Sequence, residues 1–157
     1  MTYLLDSDIL IFLARGLKAA TLPGKENQKK AEIARRIKVR CLSAIQEGGA
    51  VGISTISLCE LEFGALRCKD PDSEGKKLQR FFTPFEKFPL PVGGFPRHYG
   101  NIRHQLEQAG ELIGQLDMLI AAHALDLEAV LVTNNESHFE RIEGIRLENW
   151  SQAIPEY

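Results

Sequence analysis

Short apolar runs alternate with amphipathic stretches along this chain, and that alternation predicts its elements. Tyr3-Leu4-Leu5 is an apolar run closed by Asp6, which predicts a buried strand. Ile9, Leu10, Phe12 and Leu13 form the apolar side of a following helix, with Asp8 as its predicted cap, and Thr21-Leu22-Pro23-Gly24 breaks it. Residues 25–47 have helical periodicity: Ile33, Ile37, Cys41 and Ala44 share one stripe, Ala34 and Ile45 sit at its edges, and Gly48-Gly49 stops the helix. Residues 50–54 read as a second strand, followed by a helix from Ser57 to Cys68, a polar loop over 69–75 and a helix over 76–88. The proline- and glycine-rich stretch 89–96 is broken, with room for one short strand. Helices over 97–109 and 116–127 flank a turn at 110–114, residues 129–133 form a β-branched strand, and 145–150 alternate like a final strand. Strands alternating with helices predict a mostly parallel sheet covered on both faces, with the ligand site at the carboxyl ends of the strands.

Composition narrows the class. The chain has 157 residues, 44% hydrophobic and 25% charged, which suits one globular domain over 1–157 and excludes a disordered tail, a collagen-like rod and a disulfide-dense miniprotein. No apolar run approaches the ~20 residues of a membrane helix. An acid at position 6 and no basic n-region predict no signal peptide. Cys41, Cys59 and Cys68 fit neither a disulfide framework nor a zinc knuckle, so the expectation is reduced thiols, packed in the core of a cytoplasmic protein. The net charge of −2 conceals an asymmetry: residues 15–40 carry nine basic side chains against Glu26 and Glu32, whereas 91–157 carry four arginines against ten acids. Such a division suits a protein that grips a polyanion with one part and holds cations with another, although a solvated helix face explains the basic stretch equally well.

The strand-end rule singles out particular side chains. Asp6 ends the first strand, Glu60 lies one turn into the helix after the second, Asp117 opens the helix 116–127, and Thr133-Asn134-Asn135 ends the next strand. Each has a structural alternative. Ser57-x-x-Glu60 reads as a capping box. Asp117 is favoured near a helix start by ~0.3–1 kcal/mol. Asp6-Ser7-Asp8 reads as a turn with a cap. Taken together they point elsewhere, because carboxylates meeting at ~5 Å and an effective dielectric of ~20 repel by roughly 3 kcal/mol per pair. A hard divalent cation relieves that cost, and oxygen ligands are those magnesium and manganese prefer.

The same residues carry a resemblance. The run Tyr3-Leu4-Leu5-Asp6-Ser7-Asp8-Ile9-Leu10-Ile11 resembles the opening of the PIN-domain superfamily, and Glu60-Leu61 with Gly64 resembles its second motif. Leu116-Asp117-Met118-Leu119-Ile120-Ala121-Ala122-His123 is similar to the third, and Val132-Thr133-Asn134-Asn135 through Trp150 to the C-terminal signature of the VapC toxin branch. The resemblance implies a PIN-like three-layer α/β/α domain. It implies a Mg²⁺- or Mn²⁺-dependent endoribonuclease, the toxin of a type II toxin–antitoxin pair, dimeric and silenced by a VapB-like antitoxin. Asp6, Glu60 and Asp117 match the family's metal-binding carboxylates. Asn134 stands where many PIN domains have Asp, offering a neutral oxygen or a hold on water, and Asp8 replaces the usual Asn and adds a charge.

Around that centre, Arg103, Lys29, Lys30 and Arg36 are the candidates for holding RNA backbone, and the 25–40 helix offers the antitoxin an alternative surface. Ile11, Phe12, Leu61 and Phe63 are candidates for an apolar antitoxin groove, with a core role as the alternative. His123 is read as a packing or interface residue, His138 lies near the fourth motif, and Trp150 is read as core. A haloacid-dehalogenase-type phosphatase also starts from D-x-D, yet that chemistry needs a downstream lysine and none follows Lys87. A non-catalytic PIN-like module binding RNA or protein is the remaining competitor.

Overall fold

The computed structural model describes residues 1–153, so the last four residues of the predicted domain 1–157 lie outside the described residues. In chain order the elements are β1 (Thr2–Leu5), α1 (Ser7–Ala19), α2 (Lys25–Gln46), β2 (Ala50–Ser54), α3 (Thr55–Leu66), α4 (Pro71–Phe82), β3 (Glu86–Phe88), α5 (Phe95–Ala109), α6 (Gln115–Asp126), β4 (Val130–Val132), α7 (Glu136–Phe139) and β5 (Arg146–Glu148). The strands form one parallel sheet in the order β3-β2-β1-β4-β5. β1 is central, which is why Tyr3-Leu4-Leu5 is a continuous apolar run rather than an alternating one.

Alternate side chains of the sheet feed two cores. Leu5, Ile53 and Val132 pack with Ile9, Leu10, Ile37, Cys41 and Phe82 from α1, α2 and α4. Leu4 and Leu131 pack on the other face with Ile102, Leu106, Ile120 and Phe139 from α5, α6 and α7. The result is the three-layer α/β/α arrangement. α1 and α2 form a helical hairpin in close contact: a Cβ on Gly16 would stand 2.2 Å from that of Ala34 and 2.6 Å from the Lys30 carbonyl. Trp150 is buried against Tyr3, as expected of a core residue.

Several local expectations need correction. Asp6, not Asp8, caps α1. α3 begins earlier than Ser57, because the Ser54 hydroxyl accepts from the Ile56 N–H and caps it, so Ser57-x-x-Glu60 is not a capping box. The polar stretch 69–75 is not a loop throughout: Asp70 caps α4 by accepting from Ser73 N–H, and Pro71 begins the helix. That helix ends at Phe82, and Glu86-Lys87-Phe88, read as its last turn, is the edge strand β3. The stretch 89–94 then holds no strand. Of the three free cysteines only Cys41 is buried; Cys59 and Cys68 are exposed, because they lie off the buried stripe of α3 and its continuation. Ile45 is exposed, so one edge of the α2 stripe lies outside the core, whereas Ala34 at the other edge is buried. Among the described residues no helix is long and apolar enough to cross a membrane.

Candidate carboxylate site

Parallel pairing fixes the ends of the central strands together. Leu5 is in register with Ile53 on one side and Val132 on the other, and the Asp6 N–H donates to the Val132 carbonyl at 2.9 Å. Asp6 therefore emerges beside Ser54 and Thr133 at the carboxyl edge of the sheet. Its side chain is only 4% exposed. One oxygen, Oδ1, accepts from the Ser7 N–H at 2.7 Å, and the other, Oδ2, accepts from the Thr133 hydroxyl at 2.9 Å. The Thr133 hydroxyl in turn accepts from the Asn135 N–H at 3.0 Å, which fixes its direction. Burial pushes the Asp6 pKa up to about 7; the charge on Asp8 adds to this, the bonds from Thr133 and Ser7 oppose it, and Asp117 raises it further.

The other carboxylates come from helix starts. Asp8, in the first turn of α1, accepts at Oδ2 from the Asn134 N–H at 3.1 Å. Its Oδ1 is buried without a hydrogen-bond partner. Burial raises its pKa, the Asn134 and Ile9 amides oppose that, and Asp117 and Glu60 add to it. Glu60, in the second turn of α3, accepts at Oε2 from the Ser7 hydroxyl at 2.7 Å. Asp117, in the first turn of α6, stands with Oδ2 at 3.0 Å from His138 Nδ1 on α7. Asp6, Asp8 and Asp117 thus lie in one another's fields and Glu60 lies in that of Asp8. Among the described residues no Lys or Arg forms an ion pair with any of the four.

Each carboxylate takes a protein partner, and among the described residues no three His, Cys, Asp or Glu side chains are gathered closely enough to chelate an ion at once. The donor chemistry nevertheless fits a hard divalent cation: four carboxyl groups, among the described residues no Lys or Arg paired to them, and one buried carboxylate oxygen left unpaired. Asn134 is placed differently from the acids. Its amide oxygen accepts from the Ser151 hydroxyl at 2.9 Å and from Asn149 Nδ2 at 3.3 Å, and its contribution to the acids is its backbone N–H.

The basic candidates stand apart from these contacts. Arg103 donates to Glu107 at 2.9 Å and Tyr99 at 3.3 Å on its own helix, α5. Lys30 pairs with Glu26 at 2.9 Å, and Arg36 approaches Glu32 at 3.9 Å. Lys29 and Arg36 line a groove of ≈ 620 Å³ on α2. Of the four apolar candidates, Ile11 and Leu61 line one groove, although Leu61 is 7% exposed and belongs to the core; Phe12 packs partly against that core and Phe63 is 63% exposed. His123 is fully buried and its Nδ1 lies 2.8 Å from the Ser54 hydroxyl, a packing role. Ser7 is the residue that sequence reasoning passes over; Thr133, Asn135 and His138 lie where it places the fourth motif, but their contacts within the site are not readable from the sequence. A hydroxyl between two acids in D-S-D was the available signal for Ser7.

Fold and site define a class: parallel α/β domains with a carboxylate centre at the strand ends. The family model of the PIN domain matches residues 3–145. Ribonuclease VapC2 of Rickettsia felis is 37% identical over 111 residues, 71% of this chain and 82% of that protein. Ribonuclease VapC2 of Haemophilus influenzae is 30% identical, over 96% of this chain and 98% of its own. Among solved structures, VapBC2 from Rickettsia felis bound to a promoter DNA fragment superposes with a TM-score of 0.75 at 31% identity, covering 96% of this chain and 99% of that one. The chain belongs to the PIN domain family, in its VapC ribonuclease branch.

Proposed function

We propose that the chain is a toxin endoribonuclease that hydrolyses RNA phosphodiester bonds with Mg²⁺ or Mn²⁺, and that a VapB-like antitoxin silences it. The observation that supports this reading is that Asp6, Asp8, Glu60 and Asp117 come from separate elements to one edge of the sheet with, among the described residues, no Lys or Arg paired to them. Asp6, Asp117, Glu60 and Asp8 are the residues that would hold the ion. A divalent cation bound there supplies a lowered water pKa and stabilisation of charge on the phosphorus-centred transition state. The chain's own part is orientation. Ser7 N–H and the Thr133 hydroxyl aim the two Asp6 oxygens, the Ser7 hydroxyl ties Glu60 to the start of α1, and the Asn134 N–H holds Asp8. His138, with Nδ1 at 3.0 Å from Oδ2, stands where it can hold Asp117.

Kinship supports the substrate and the partner. A 28% identical relative from Shigella flexneri is a tRNA(fMet)-specific endonuclease VapC, and the Rickettsia felis relative is solved as a VapBC assembly. RNA, a VapB-like antitoxin and a second copy of the chain are the partners proposed here. The test is cleavage of RNA by the purified chain. Asp6→Asn and Asp117→Asn should each lower the rate by at least about a hundredfold with an unchanged circular dichroism spectrum, as should excess EDTA. Full activity in either variant or in EDTA would refute the reading. A chain that binds RNA without cutting it, in any divalent cation, would favour the non-catalytic module, a reading that the absence of a closed triad also suits.

A further inference from the structure

A groove of ≈ 250 Å³ between α1, α3 and α4 begins at Glu60 and is lined by Ile11, Arg15, Gly64 and Leu78. Two of these residues bear on what the groove can take. Arg15 is exposed, and among the described residues it forms no ion pair, although Glu60 and Glu74 line the same groove. Arg35 and Arg36, by contrast, lean on Glu32. Gly64 lies inside α3, where glycine is less favourable than alanine. A Cβ there would meet nothing within 4 Å, so close packing does not demand glycine as it does at Gly16. Asp8 and Arg15 are seven residues apart on α1, which places them on one face about 10 Å apart along the axis.

We propose that this groove cradles the RNA strand beside the cleaved linkage, Arg15 gripping a flanking phosphate and the bare backbone at Gly64 letting the ribose–phosphate chain lie against α3. The proposal rests on the ribonuclease reading and deepens it. An acid cluster repels the polyanion it cuts, so a cation just outside the cluster is needed to hold the strand. A guanidinium with no ion-pair partner among the described residues is suited to this, because its planar fork matches two phosphate oxygens. Arg15 is thus a substrate-binding residue and Gly64 a positioning one.

Steady-state cleavage of a fluorogenic oligoribonucleotide by the full chain, across about 50–200 mM salt, tests this. Arg15→Ala should raise KM about tenfold with kcat changed less than about twofold, and should reduce the salt slope by about 0.7, the value for one phosphate contact to a single strand. Arg15→Lys should recover much of the affinity, since the charge remains. Gly64→Ala should raise the unfolding midpoint by about 2–4 °C and yet raise KM, a combination that a purely structural glycine does not give. If the wild type cleaves RNA while Arg15→Ala keeps its KM and salt slope, the proposal is overturned and the ribonuclease reading stands. If Arg15→Ala loses only its silencing by a VapB-like chain, the groove belongs to a protein partner and the proposal is likewise overturned. A wild type that cleaves no RNA under any divalent cation defeats both.

Discussion

Asp6 is pulled two ways. Its two oxygens accept bonds that favour the ionised form, while burial and the neighbouring acids favour the protonated form and prevail, leaving the pKa near 7. The folded chain therefore holds this proton more tightly than the unfolded chain does. Stability from the protonated group is fully present below about pH 4 and is lost as the pH rises through about 7, at about 1.4 kcal/mol per unit of pKa difference. In EDTA, the chain should be less stable to urea at pH 8 than at pH 5 by a few kcal/mol. Asp6→Asn should remove most of that difference, because the amide keeps an acceptor for Ser7 and a group able to face Thr133. Asp8 acts in the same direction, whereas Glu26 and Glu32, exposed and with lowered pKa, change stability only at lower pH. Equal urea midpoints at pH 5 and pH 8, in wild type and variant alike, would contradict this.

At the scale of elements, two buried contacts set where the acids stand. Ser54 caps α3, which carries Glu60. Its hydroxyl accepts from Ile56 N–H and lies 2.8 Å from Nδ1 of His123, whose pKa burial lowers, on α6, which carries Asp117. Ser54→Ala removes the cap and orphans a buried ring nitrogen, and should cost about 2–4 kcal/mol in urea denaturation while lowering activity. A loss below about 0.5 kcal/mol would show that the link carries no weight. In the α1–α2 hairpin, Gly16→Ala forces a methyl into Ala34 and the Lys30 carbonyl, and should lower stability by about 1–3 kcal/mol. An unchanged melting curve would mean that the hairpin separates freely.

The elements that were legible in the sequence are those whose cores are strong. β1, α2, β2 and α6 announce themselves through apolar runs and a continuous stripe. β3 does not, because Glu86-Lys87-Phe88 is a three-residue edge strand with two exposed side chains and so carries no apolar signature. The start of α3 was misplaced because Ser54 and Ser57 both look like caps, and only the strand register decides between them. The acids were legible by their position at strand ends. Their hydrogen-bond partners were not: Ser7–Glu60, Thr133–Asp6 and His138–Asp117 join residues 53, 127 and 21 positions apart, contacts that only tertiary folding creates.

At the scale of the whole molecule, the sheet brings acids from the end of β1 and from α1, α3 and α6 to one edge and, among the described residues, pairs none of them with a Lys or Arg. The proposed ribonuclease chemistry requires a divalent cation at this edge. The most direct measurement is an anomalous difference map from a crystal of the chain soaked in Mn²⁺. The expected result is a peak about 2.0–2.2 Å from carboxylate oxygens of Asp6 and Asp117, with Asp8 or Glu60 turned toward it. No peak at that edge, with Glu60 still on Ser7, Asp8 on Asn134 and Asp117 on His138, would contradict it.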